Sequence, residues 1–202
     1  MDLQNILIVS AIGYLVGCIQ PSYFIGKMKG IDIREHGSKN AGAANTTMTL
    51  GWAFGIFTGV FDVLKATFCV LITAYIFESP RYEFLPFLSG AMAIMGHNYP
   101  FYMGFDGGKG TASVIGMMFG LDLIWGLVML GVIILSTLIT NYLVVGTVNI
   151  YVVLMYVSIY KYTSSPEILY ISIFLSILGI YKHRQNLIRI KNGTEPTFRS
   201  TL

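Results

Sequence analysis

Charge is scarce in this chain. Asp, Glu, Lys and Arg make up 11% of its 202 residues, less than half of the roughly 25% typical of a soluble domain. Cysteine is nearly absent: Cys18 and Cys69 are the only two, and both lie inside apolar runs, which argues against a disulfide framework or a thiolate metal site. The three histidines, His36, His97 and His183, stand in separate polar stretches without ligand spacing, so the sequence proposes neither a metal nor a cofactor. No linker or low-complexity tract interrupts the chain, and 1–202 reads as a single membrane-embedded domain. There is no internal repeat with paired broken helices, which a secondary transporter would show. A net charge of +3 gives no footing for nucleic acid. The first apolar run also lacks a basic region ahead of it, since Asp2 is the only charge before Lys27. Residues 3–26 therefore read as a retained span rather than a cleaved leader.

What is abundant is apolar. Hydrophobic residues reach 54% and mean hydropathy is +0.67, the signature of an all-α, polytopic integral membrane protein. Apolar stretches fall at 3–26, 52–77, 84–103, 122–160 and 166–182. The fourth is long enough for two spans, with a break expected near Thr140-Asn141. A further segment, 111–121, is short for a full crossing and reads as a half-length or tilted helix. Ten of the thirteen basic residues cluster in three places: Lys27, Lys29, Arg34 and Lys39; Lys109; and Lys182, Arg184, Arg189, Lys191 and Arg199. Arg81, Lys161 and the intramembrane Lys65 lie elsewhere. With the N-terminus outside, about seven crossings place all three clusters and the C-terminus in the cytoplasm, whereas six would strand the last. A re-entrant 111–121 element is the other arrangement that fits.

Three polar motifs occupy that cytoplasmic side. Residues 30–46 mix charge, amides and small side chains. Read plainly they are a solvated loop with Asn45 or Thr46 capping the next helix; read functionally, Ser38 and Asn40 offer hydrogen bonds while Arg34 and Lys39 offer charge to an oxyanion. Residues 97–113 crowd glycines around Lys109, a pattern suited to turning backbone N–H groups and one ammonium toward a phosphate. Gly110 stands where a Walker A loop requires Ser or Thr, so this is a different cradle. In residues 181–195, His183 and Asn186 fall on one helical face continued by Leu187 and Ile190, beyond what a basic topology anchor requires. Asp62 and Lys65, i and i+3 within the second span, read as a structural ion pair, with substrate contact as the alternative.

In this order and register, the motifs resemble the bacterial PlsY family of acyl-phosphate-dependent glycerol-3-phosphate acyltransferases, from Gly17-Cys18-Ile19-Gln20-Pro21 to Glu195. The resemblance implies a seven-helix fold in the bacterial plasma membrane with the active site at its cytoplasmic face. The reaction it implies is acyl transfer from acyl phosphate to the 1-hydroxyl of glycerol 3-phosphate, giving lysophosphatidic acid and phosphate. Those two substrates and the lipid bilayer are its expected partners, with a monomer as the working form. Carried over residue by residue, Ser38, Asn40, Lys109, His183 and Asn186 match the family's catalytic residues. Gly107, Gly108 and Gly110 match its phosphate loop, and Glu195 matches a structural glutamate. Arg34, Lys39, Asn45, His97 and Arg184 complete the expected substrate- and phosphate-binding set.

An acyl phosphate is already activated, so placement and oxyanion stabilisation suffice and an acyl-Ser38 intermediate is the less favoured route. His183, the leaving phosphate and the acceptor's phosphate all remain open as proton acceptors. Four positions depart from the family: Lys39 replaces a glycine, Ala44 a threonine, Met48 a phosphate-binding arginine and Asp106 a lysine. Two other readings therefore stay open, namely acylation of a different phosphorylated polyol and a non-catalytic protein that binds phosphate or lipid.

Overall fold

The apolar runs become helices, and proline, glycine and asparagine decide where they stop. A computed structural model describes residues 3–78, 83–163 and 165–201; Asp2 and Arg81, used above for topology, lie outside them. Among the described residues the secondary structure is helical throughout, with no strand. Four segments are long and apolar enough to cross a membrane: Leu3–Met28, Trp52–Ile76, Leu123–Thr140 and Leu143–Tyr160. The residues fall into two compact units divided between Leu121 and Asp122.

In the first unit the opening span is not one helix. α1 covers Leu3–Gly17 and α2 covers Pro21–Met28. Pro21 lacks an N–H and pushes Gln20 into the extended region (φ −119°, ψ 93°), which breaks the helix. Carbonyls freed by such a break need partners inside a membrane. The Tyr102 hydroxyl donates to Cys18 O at 2.6 Å and the Lys65 ammonium donates to Ile19 O at 2.8 Å.

After α3 (Ala43–Leu50), α4 (Trp52–Ile76) buries one stripe, Gly55, Thr58, Asp62, Lys65, Ala66, Cys69, Val70 and Thr73, and turns Ile56, Phe57, Val60, Leu64 and Phe68 outward. α5 (Phe84–Asn98) packs on α1 and α4, and α6 (Thr111–Leu121) packs on α4 and α5. Lipid gives helices no hydrophobic reason to associate, so close backbone approach has to hold them. Gly13 and Gly17 supply it on α1, and Gly116 and Gly120 on α6. A Cβ at Gly17 would lie 2.1 Å from Ala93 O, and one at Gly116 would lie 2.1 Å from Val63 O.

The second unit contains α7 (Leu123–Thr140), α8 (Leu143–Tyr160) and α9 (Pro166–Lys191). The break expected near Thr140-Asn141 is present: Asn141 adopts φ 66° and ends α7, a left-handed cap that asparagine tolerates. The last apolar stretch and the basic segment after it form one helix, α9. α8 meets α7 where Gly146 lies against Ile133, and meets α9 where the Tyr151 ring lies on Gly179. Ser158 and Ser172 hydrogen-bond across the second interface at 2.6 Å. The C-terminal turn Phe198–Thr201 is fastened to the α7–α8 corner. There Phe198 N donates to Asn141 O (2.8 Å) and Arg199 N donates to Asn141 Oδ1 (2.9 Å).

Candidate active site

Residues 30–46 fold through their own side chains. Asp32 opens a short turn at Ile33–Glu35 by accepting from Arg34 N at 3.0 Å. The Arg34 guanidinium grips both Asp32 oxygens (3.0 and 2.8 Å) and also donates to Met103 O (2.6 Å) and Asp106 O (3.2 Å). The hydrogen bond from Arg34 holds the Asp32 carboxyl at about 2, below its ordinary 3.8. Arg34 thus clamps the 101–106 segment to the first motif, and four of its five N–H donors are spent there. The charge expected for a substrate oxyanion serves the loop instead.

Asn45 changes place in the same way. It is fully buried, and its amide donates to Ile33 O and Asn40 O, both at 2.8 Å. Its Oδ1 accepts from Ser38 N (2.6 Å) and Ser38 Oγ (3.2 Å). It therefore braces Ser38 from below and has no atom to offer a substrate. Nor do Asn45 and Thr46 cap α3: that helix starts at Ala43 with Gly42 as its N-cap and no side-chain cap, and Asn40 Oδ1 accepts from Gly42 N at 3.0 Å just ahead of it. Asn40 also donates to Ser38 Oγ at 2.9 Å, so Ser38 and Asn40 form one partly exposed polar unit. Lys39 between them is exposed and adopts φ 55°, a left-handed conformation in which the family's glycine would be free of strain.

The glycine loop is tighter than its composition suggests. Gly107 N donates to Asn98 O (3.1 Å) and Gly108 N donates to His97 O (3.0 Å), which satisfies the last carbonyls of α5. Those two amides are consumed internally, which corrects the expectation that they line a phosphate cradle. Their lack of a side chain is what matters: a Cβ at Gly107 would lie 2.3 Å from His97 O, and one at Gly108 would lie 2.0 Å from His97 Nε2. Gly110 takes φ 86° and sits against the Asn98 amide as α6 begins. The loop carries Lys109 and leads directly into the first turn of α6. His97 is buried, its carbonyl held by Gln20 Nε2 at 2.5 Å and its Nδ1 3.0 Å from Lys65 Nζ. Reasoning from sequence missed Gln20, whose partner His97 O is 77 residues away, and Asp32, whose partner is Arg34, itself read from sequence as a substrate ligand.

In the second unit, the buried stripe of α9 runs Ile168, Ser172, Leu175, Gly179, His183 and Asn186. His183 and Asn186 share this face, whereas Leu187 is exposed and does not continue it. His183 Nδ1 lies 2.9 Å from Gly179 O. A carbonyl can only accept, so Nδ1 carries a proton, and in the neutral form of the ring Nε2 is the basic nitrogen. Asn186 donates to Glu195 Oε1 and Arg189 Nε donates to Glu195 Oε2, both at 2.6 Å. The carboxylate thereby fixes which end of the Asn186 amide faces away from it. Arg184 stacks on Tyr181 at 4.0 Å and donates to its carbonyl at 2.9 Å, so on its own helix it packs as an exposed interfacial cation.

A helical membrane protein with a Ser–Asn turn, a lysine-bearing glycine loop and a His–Asn helix end belongs to the class of integral membrane enzymes. The profile of the glycerol-3-phosphate acyltransferase family matches residues 7–193, and the chain belongs to that family. It is 40% identical to Glycerol-3-phosphate acyltransferase 1 of Oceanobacillus iheyensis, over 97% of this chain and 96% of that one. Identity to the Clostridioides difficile glycerol-3-phosphate acyltransferase is 36%, over 96% of each. Its fold matches the crystal structure of PlsY (YgiH), an integral membrane glycerol 3-phosphate acyltransferase, in the glycerol 3-phosphate form. That match has a TM-score of 0.86 and 30% identity, over 96% of this chain and 95% of that one. The family read from the motifs is thereby confirmed.

Proposed function

We propose that the chain transfers a fatty acyl group from acyl phosphate to the 1-hydroxyl of glycerol 3-phosphate at the cytoplasmic face of the bacterial plasma membrane. In this reading it works as a monomeric single domain with seven crossings, the N-terminus outside and the C-terminus inside. The basic clusters support that orientation. The observation that carries the chemical reading is the His183–Gly179 bond, which leaves Nε2 able to take a proton on the face shared with Asn186.

The acceptor hydroxyl oxygen attacks the acyl carbonyl carbon, and its proton passes to His183 Nε2. The carbon–oxygen bond to phosphate then breaks, and inorganic phosphate departs with that oxygen. Within the first unit the Ser38–Asn40 pair offers hydrogen bonds to a substrate hydroxyl or carbonyl, and within the second Asn186 is oriented by Glu195. Lys109 holds phosphate charge as it develops on the leaving group. No covalent acyl-enzyme is needed, because the mixed anhydride is already activated.

The test is phosphate release by the purified protein given palmitoyl phosphate, with and without glycerol 3-phosphate. Release that depends on the acceptor, and is lost in Lys109→Ala, is the expected result. Release indifferent to the acceptor in a folded protein would refute the proposal, and a panel of phosphorylated polyols would then identify a different acceptor.

A further inference from the structure

Tyr151 carries a hydroxyl that the second unit leaves unused. The residue is only 3% exposed, yet its phenol makes no hydrogen bond among the described residues. Nor is its oxygen sealed in, as those of Thr58 and Asn98 are. Serine hydroxyls on the α8–α9 interface are all spent: Ser158 bonds Ser172 at 2.6 Å and Leu154 O at 2.9 Å, and Ser176 donates to Ser172 O at 2.7 Å. A phenylalanine would pack the same ring without holding an unpaired O–H away from water, which costs stability. Such a group is accounted for when a ligand supplies the acceptor.

The phenol is seated on the residue that holds the proposed base. A Cβ at Gly179 would lie 2.0 Å from Tyr151 Cζ and 2.1 Å from its hydroxyl oxygen, and Gly179 O lies 2.9 Å from His183 Nδ1. Residues 179 and 183 are about one turn apart, roughly 6 Å along the helix axis. α9 carries no charged residue between Glu167 and Lys182, so Gly179 lies on the apolar side of His183. An acyl phosphate has its chain at the apolar end and its phosphate at the polar end, and the carbonyl is the polar group at the junction. For Nε2 to take the acceptor's proton, the carbonyl carbon has to stand one hydrogen bond and one attack distance away, each about 3 Å. That span equals the turn from 183 back to 179. We infer that Tyr151 is a further catalytic residue, whose hydroxyl donates to the acyl carbonyl oxygen in a bond that strengthens as negative charge develops there. The inference rests on the acyl-transfer reading and on His183 as its base.

Tyr151→Phe is the test, because the ring and its seat on Gly179 remain. Its kcat should fall by about 10²-fold, the scale of one oxyanion donor. The KM of palmitoyl phosphate should stay within about threefold, and Tm should be unchanged or higher. An unchanged kcat, or a kcat loss accompanied by a lowered Tm, would overturn the inference. A spectroscopic arm reads the bond without turnover. Palmitoyl phosphonate, 13C-labelled at its carbonyl, is a donor analogue that cannot transfer its acyl group. The infrared carbonyl stretch of the bound analogue should lie at higher frequency in Tyr151→Phe than in the parent protein, and equal frequencies would overturn the inference while acyl transfer stands. If the parent shows no acceptor-dependent phosphate release with any phosphorylated polyol, the acyl-transfer reading itself fails, and the catalytic role of Tyr151 goes with it.

Discussion

His97 and His183 invite comparison because both rings are buried and held at Nδ1, one beside an ion pair and the other beside a backbone carbonyl. Each is buried in the C-terminal half of its helix, and each places Nδ1 within about 3 Å of a polar neighbour. For His97 the neighbours are the Lys65 ammonium at 3.0 Å and the Asp62 carboxylate at 3.2 Å; for His183 the neighbour is a carbonyl that only accepts. The second ring, when neutral, is therefore bare at Nε2, whereas the first sits within an ion pair. The difference comes from a carbonyl four residues back on α9 for His183 and from two charged side chains of α4 for His97. Which nitrogen is protonated is set by what the other nitrogen touches.

The largest effect that tests this contrast is the same substitution at the two sites. His183→Gln removes the base while retaining a donor, and kcat should fall by about 10²–10⁴, whereas His97→Gln, which disturbs the Asp62–Lys65 pair, should show mainly as a lowered Tm. Similar kcat losses at both sites would break the comparison. Next come the glycines that seat each ring. Gly179→Ala drives a methyl into Tyr151, 2.0 Å from Cζ, and should cost about 1–3 kcal/mol, read as a lowered Tm. Gly108→Ala meets the His97 ring at the same distance and should instead raise the KM of a phosphate substrate more than it lowers kcat. Glu195→Gln loosens Asn186 and Arg189, and a kcat loss of roughly tenfold is expected, the scale of one charge-assisted hydrogen bond. Met48→Arg, on an exposed turn of α3, should lower the KM of glycerol 3-phosphate by restoring a fork for phosphate; an unchanged or higher value would tie the departure at Met48 to a different acceptor.

The smallest effect concerns Asp32. Its carboxyl sits at about 2 when folded against an ordinary 3.8, so the stability it contributes is present above about 3.8 and lost as pH falls toward 2. The Tm difference between the parent protein and Asp32→Asn should be constant near neutrality and shrink only across that window. A difference that shrinks nearer neutral pH would place the titration on another group.

Helix identity was legible in the sequence wherever apolar length set it, as for α4, α7 and α8, and the corner at Asn141 was legible because asparagine there ends an otherwise unbroken run. The interruption at Cys18–Gln20 was read through, since Pro21 sits in a stretch apolar enough to span and the partners of the freed carbonyls come from Lys65 and Tyr102. The three polar motifs were legible as motifs. What each charge in them does was not, because Arg34 and Asn45 look like substrate ligands until the carbonyls of Ile33, Asn40, Met103 and Asp106 are folded against them. Sequence displays side chains and conceals backbone acceptors. The amides of Gly107 and Gly108 were misread for the same reason.

The broken first span has a further consequence for how the chain is made. A lone charge at mid-membrane costs about 2.5–3.5 kcal/mol on insertion, and Lys65 enters the bilayer on a helix synthesised before α5 exists. The ribosome has already delivered two of its three acceptors by then, Ile19 O on the preceding span and Asp62 one turn earlier on the same helix. Only His97 arrives later. The cluster is thus assembled in the order of translation, and the kink at Pro21 stores a carbonyl for a lysine not yet made.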